Sequence, residues 1–127
     1  MVLAEVADGA RSVAESDLLR LIKRAGITPL CNRLLYAGKT FIAKPDMWWP
    51  DAGVAVEVDS REWHLLPEQA EETASRHNRM GSYGIIVLHF TPRQIGSQPE
   101  WVITEIRGAL ATGRNRPPLP LRTVEAG

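Results

Sequence analysis

Two carboxylates close a short apolar run, Gly53-Val54-Ala55-Val56-Glu57-Val58-Asp59, and a third, Asp46, follows a proline eleven positions before Glu57. If the run is a strand, its side chains alternate between two faces. Val54, Val56 and Val58 then share one face, and Ala55, Glu57 and Asp59 the other. Acids on an otherwise apolar strand are costly to desolvate, so a cation is expected to neutralise them. The separation of Asp46 from Glu57 leaves room for one turn between adjacent strands. Oxygen donors from Asp46 and Glu57 suit a hard ion, Mg2+ or Mn2+. The backbone carbonyl of Val58 is a third donor, since it follows Glu57 on the strand. An ion held this way can activate a bound water and polarise a bound substrate oxygen, the chemistry of metal-assisted hydrolysis.

The elements that must position these acids are readable in part. Ser12 and Glu15 fit a capping box, and apolar residues at 14, 18, 21, 22 and 25 keep helical spacing up to a stop at Gly26. Glu15 tilts toward the buried side of that helix. It either closes the cap or reaches the ion, directly or through water. Residues 33–37 and 39–47 read as strands joined by a tight turn at Gly38-Lys39, with Thr40, Ile42, Lys44 and Asp46 on one face. Trp48 and Trp49 read as packing residues, and Asp51 as a turn residue before Gly53. A helix is expected over 68–82 after Pro67, with acids in its first turns. Ile85 to Phe90 is a continuous apolar run, the pattern of a parallel strand buried on both faces. Thr91-Pro92 then caps a helical turn, and residues 101–110 form a last helix. Residues 1–11 read as a loose lead-in, 12–112 as the domain, and the Pro- and Arg-rich residues 113–127 as an extended or disordered tail. The expected order is αβββαβα, an α/β fold with a mixed central sheet flanked by helices.

Composition limits the alternatives. A chain of 127 residues, 44% apolar with 15 basic and 15 acidic residues, is an ordinary globular domain. No apolar run nears the roughly 20 residues of a membrane span, and the first residues carry no signal-peptide pattern. One cysteine, Cys31, precludes an internal disulfide and suits a reducing cytoplasm; it reads as a small apolar residue. The balanced charge counts mildly against a dedicated nucleic-acid binder, although a nuclease can gather acids at its centre and cations at its rim. His77 and His89 lack a partner at metal-ligand spacing, which argues against zinc. Continuous helix around Arg76-His77-Asn78-Arg79 argues against an HNH centre.

Pro45-Asp46 followed by Glu57-Val58-Asp59 resembles the PD-(D/E)xK nuclease signature, with Asp59 in the usual place of lysine. The continuation Asp59-Ser60-Arg61-Glu62-Trp63-His64 resembles very-short-patch-repair endonucleases. It is closer to a bacterial group of Vsr-like domains with the pattern D…WP…hExD…H, found also at the C-terminal end of abortive-infection-type antitoxins or regulators. The likeness spans about residues 12–110. It implies a restriction-endonuclease-like core and a Mg2+-dependent endodeoxyribonuclease or nickase acting in DNA repair or phage defence. DNA is then the partner, and whether a longer parent protein adds an N-terminal DNA-reading domain is left open. The resemblance also favours Glu15 as an acid reaching the metal, and for His64 it sets the role of general acid or base level with that of a packing residue beside Trp63. Because Asp59 replaces the lysine, either it joins the metal cluster or a cation substitutes, with His64, Arg76 and Lys44 as candidates in that order. Arg76 clamps a phosphate or pairs with Asp59 or Glu57. Thr73 and Ser60 depart from the group pattern where Asp and Gly are common. The second expectation is therefore a catalytically degenerate nuclease fold serving as a DNA-binding or antitoxin module. The third is a structural domain whose acids are salt-bridged.

Overall fold

Alanines at 4, 7, 10 and 14 are strong helix formers, and they carry the first helix well upstream of the expected start. The computed structural model describes residues 2–59 and 66–126. In it α1 runs Val2–Arg24, so the lead-in is helical and Ser12 lies inside the helix, not at its cap. Ala14, Leu18 and Ile22 are its buried stripe. Its end was legible: Gly26 adopts φ 80°, Gly26 N–H donates to Lys23 O at 3.0 Å and Ile27 N–H to Ile22 O at 3.1 Å. These are the paired bonds of a left-handed glycine cap.

The remaining elements are β1 (Leu30–Cys31), β2 (Arg33–Ala37), β3 (Thr40–Ala43), β4 (Met47–Trp49), β5 (Val54–Val58), α2 (Pro67–Ser82), β6 (Ile86–Phe90), α3 (Pro92–Ser97), α4 (Pro99–Arg114) and β7 (Arg122–Glu125). They form an α/β architecture with a mixed four-stranded sheet in the order β1-β4-β5-β6 and a second, three-stranded sheet in the order β3-β2-β7. The single strand expected over 39–47 is broken. Pro45 lacks an N–H and cannot continue a ladder, so the chain leaves the second sheet after β3 and enters the first at β4. Asp46 sits at that crossing.

The valine strand β5 is buried along its whole length, and the alternation holds. Val54, Val56 and Val58 pack in one core with Leu18, Ile22, Ile106 and Leu110, while Ala55 packs in a second core with Trp48, Met80 and Ile85. Strand β6 is parallel to β5. A parallel pair requires a long crossover, and α2 supplies it on the second-core side. Strand β6 is the sheet's edge strand and is mostly half-buried, yet both its faces are covered, Ile86, Leu88 and Phe90 packing on the first core and Val87 on the second, as its continuous apolar run leads one to expect. Thr91 caps α3 as expected: its Oγ accepts from Gln94 N–H at 3.1 Å, and Gln94 Oε1 accepts from Thr91 N–H at 3.0 Å.

The C-terminal residues differ most from expectation. Helix α4 continues to Arg114, and β7 then pairs antiparallel with β2 over Arg33↔Glu125 to Tyr36↔Arg122. Leu119 and Leu121 pack on the second core, and Trp48 Nε1 donates to Thr123 Oγ1 at 3.0 Å. A Pro- and Arg-rich composition hides this strand, because its order comes from the open edge of β2 and not from its own periodicity. Among the described residues no helix is long and apolar enough to cross a membrane.

Candidate functional site

The acids are brought together by strand register. The antiparallel pairing of β4 with β5 ends at Met47↔Val56, and one further step sets Asp46 opposite Glu57. Asp46 closes that step with its side chain, its Oδ2 accepting from Val58 N–H at 2.8 Å. On a strand the N–H and C=O of one residue point to the same edge, and successive residues alternate. The Val58 carbonyl therefore points to the Asp46 edge as well. Asp59 N–H points the other way and donates to Phe90 O at 2.8 Å. Glu57 and Asp59 are 3% and 5% exposed.

Helix α2 lies over this acidic face. Arg79 Nη1 donates to Ile42 O at 3.1 Å, tying the helix to β3. Arg76 Nε donates to Glu57 Oε1 at 3.2 Å. Of the two roles expected of Arg76, the ion pair is the one observed. Breaking a fully buried pair from one side costs about 3–5 kcal/mol. The Arg76 side chain is 36% exposed, so water screens the pair and Arg76→Met should cost about 1–2 kcal/mol. Urea unfolding would measure it, and the cost should shrink when Glu57→Gln is already present.

The Asp59 side chain approaches β6. Its Oδ2 lies 4.0 Å from His89 Nδ1, and His89 Nε2 lies 2.9 Å from His77 Nδ1. His77 and His89, which lack a partner at metal-ligand spacing along the chain, thus meet each other. No spacing rule links a helix residue to a strand residue twelve positions on; the crossover of α2 onto β6 creates the contact.

Glu15 reaches the site region from α1. It lines, with Asp46, Lys44 and Cys31, a cleft of about 520 Å³ beside the sheet crossing. Lys44 therefore brings a positive charge beside Asp46. Burial pushes the Cys31 thiol up; Lys23 and Arg33 pull it down, and Asp46 and Glu15 reinforce the rise. The folded chain thus holds the thiol proton more tightly than the unfolded chain. That contribution to stability is present below the unfolded thiol's titration range and is lost as pH rises through the folded one. Iodoacetamide at pH 8 should accordingly modify native Cys31 several-fold more slowly than the urea-unfolded chain. Asp51 lies in the turn into β5 and accepts from Arg114 Nε at 2.7 Å, consistent with a turn role. His64, Trp63 and Ser60 lie outside the described residues.

Among the described residues no group of three or more His, Cys, Asp or Glu side chains is placed to hold a metal ion. The smaller set present is all oxygen: Asp46, Glu57 and the Val58 carbonyl, with Glu15 lining the same cleft as Asp46. Mg2+ is usually held by one or two carboxylates and keeps several waters. Oxygen donors of this kind suit such an ion better than zinc, which favours nitrogen and sulfur. Comparison of the chain with protein-family models, with curated proteins and with solved structures returned no match. The functional reading thus rests on the site's own chemistry.

Proposed function

We propose that the chain is a divalent-cation-dependent endonuclease or nickase that hydrolyses DNA phosphodiester bonds on a restriction-endonuclease-like core. One observation carries this reading: the Asp46 carboxylate lies 2.8 Å from the Val58 N–H, with Glu57 next in register. Two acids gathered at a strand edge repel a phosphate unless a dication stands between them. When bound, Mg2+ or Mn2+ would lower the pKa of a water and draw charge from the phosphate. Asp46, Glu57 and the Val58 carbonyl would hold it, and Glu15 would contact its waters. Arg76 sets a positive charge against Glu57 Oε1 and orients that side chain. Lys44, on the cleft wall beside Asp46, offers a cation to the DNA backbone. A role in DNA repair or phage defence follows from the resemblance to Vsr-like domains.

A second reading has one observation in its favour. Arg76 already pairs with Glu57, and Asp59 occupies the place of a lysine, so the acids are partly neutralised from within. This favours a nuclease fold kept as a DNA-binding or antitoxin module. Two measurements decide. Incubation with supercoiled plasmid and Mg2+ or Mn2+ should yield nicked circles, and calorimetry with Mn2+ should give heat at millimolar ion or below. A salt-dependent gel shift without nicking would establish the binding module instead. Absence of heat, nicking and shift together would leave only a salt-bridged structural domain.

A further inference from the structure

The smaller sheet turns one face inward and one outward. Leu35, Ile42 and Ala43 look into the second core, and Thr123 reaches Trp48 from the same side. A register shift between Leu35 and Tyr36 lets Ile42 and Ala43 both face inward and returns Phe41 to the outside. Side chains alternate across a strand, so Leu34 and Tyr36 on β2, Phe41 on β3, and Arg122 and Val124 on β7 share the outer face. The pairing sets three of them in one row: Phe41 opposite Tyr36, and Tyr36 opposite Arg122. Phe41 is 46% exposed. Arg122 is exposed too, as is Lys39 in the turn from β2 to β3.

This row is an ordered aromatic and cationic surface. Tyr36 and Phe41 meet edge to face, with centroids 5.6 Å apart and planes at 67°. The Arg122 guanidinium carbon lies 4.8 Å from the Tyr36 centroid, and its Nη2 donates to Gly38 O at 3.2 Å. Held at both points, the guanidinium is pre-ordered and keeps further N–H donors for an anion. One face of Tyr36 is thus covered, and Phe41 is the open ring. No acid occupies an outward position on these strands. Glu125, on β7, alternates to the other side and pairs with Arg33 at 3.7 Å. In a chain whose 15 basic and 15 acidic residues cancel, this face is locally positive. It is also small. Strands of five, four and four residues present roughly 200 Å2, far below the about 800 Å2 per partner of a stable protein interface. A second copy of the chain finds too little area there, whereas a few unstacked bases do not.

We propose that this face binds unpaired nucleotides of a single-stranded nucleic acid, a base stacking on Phe41 while Arg122 and Lys39 take backbone phosphates. Stacking on an aromatic ring requires only the π-face that every base has, and it is worth about tenfold in affinity per base. The phosphate contacts add a salt-dependent share. A base inside a duplex is stacked on both sides and offers Phe41 no free face, so the surface selects single strands. From Phe41 the chain follows β3 to Lys44, on the wall of the cleft that holds Asp46. At the strand rise that is roughly 10 Å, so a nucleic-acid strand held on the sheet can run on to the cleft. The binding itself needs no metal ion and stands apart from the hydrolytic reading above.

The test uses the full chain in EDTA and low salt, with fluorescence anisotropy of labelled oligothymidylate and oligouridylate about 12 nucleotides long. At least one should bind, and a preference between them tells DNA from RNA. A duplex of the same length should bind about tenfold more weakly or worse. Phe41→Leu keeps an apolar side chain without a ring and should weaken single-strand binding about tenfold; Phe41→Trp should restore it. Arg122→Gln should weaken binding and flatten the slope of log affinity against log salt by about 0.7, the share of one phosphate on a single strand. Melting temperatures of the two Phe41 variants should stay within a few degrees of the parent, so a lost ring is not confused with a lost fold. Binding of neither oligomer overturns the proposal. So does a duplex bound as tightly as a single strand, or Phe41→Leu binding within about twofold of the parent, well short of one stacked base. A dimer seen by light scattering and dissolved by Phe41→Leu would give the face to a second copy and overturn it as well. None of these results bears on the Mn2+ heat or the nicking assay, so each reading can fail without the other.

Discussion

Asp46→Asn should abolish nicking, with a rate loss of about 100-fold or more, because several kcal/mol of charge stabilisation depend on the ion that this carboxylate helps hold. The substitution is chosen for what it preserves. An asparagine Oδ1 can still accept the Val58 N–H bond that Asp46 Oδ2 now accepts at 2.8 Å. The sheet crossing at Pro45 should therefore survive, with the melting temperature within a few degrees of the parent. The Mn2+ heat should weaken with the activity. Asp46→Ala would be a poorer probe, since it also strands the Val58 N–H, at a cost of about 1–3 kcal/mol. If Asp46→Asn nicks plasmid as fast as the parent, the cleavage belongs to a contaminant and the hydrolytic account fails.

Gly113→Ala should be the most damaging single methyl in the domain. A Cβ at that position would stand 2.0 Å from the carbonyl oxygen of Ala52 and 2.8 Å from its carbonyl carbon. Both are backbone atoms, so no side-chain rotation relieves the clash, and α4 must move off the turn that joins β4 to β5. Overpacking of this kind costs about 3 kcal/mol, or a fall in melting temperature of roughly 10 °C for a domain of this size. That turn, held by Gly53 N–H donating to Trp49 O at 2.8 Å, sets the register that aligns Asp46 with Glu57. Activity should therefore fall along with stability. Gly108, in the same helix with open space around a built Cβ, is the control. Gly108→Ala should stabilise by about 0.5–1 kcal/mol through helix propensity alone. Equal melting temperatures for the two variants would refute the close approach.

How far the amino-acid order foretells this structure depends on the range of the signal. Gly26 ends α1, Thr91-Pro92 begins α3 and Gly38-Lys39 turns β2 into β3; each is encoded by residues in direct sequence contact. The two faces of β5 were equally legible, because a period of two is a property of the extended chain. The start of α1 was not. Ser12 and Glu15 have the types and spacing of a cap, but alanines upstream propagate the helix past them to Val2. Propensity summed over a turn outweighs one capping bond.

What the sequence determined by itself is therefore the inventory: a valine strand ending in Glu57 and Asp59, an acid after Pro45, a helix carrying Arg76 and His77. What only the tertiary structure decided is which of these meet. The sheet change at Pro45 puts Asp46 on the Val58 amide, the α2 crossover sets Arg76 on Glu57 and His77 on His89, and an unfilled edge on β2 makes a strand of the proline-rich end. Those contacts join residues distant along the chain. Their stability comes from desolvation and shared hydrogen bonds across elements, which no local pattern of residue types records.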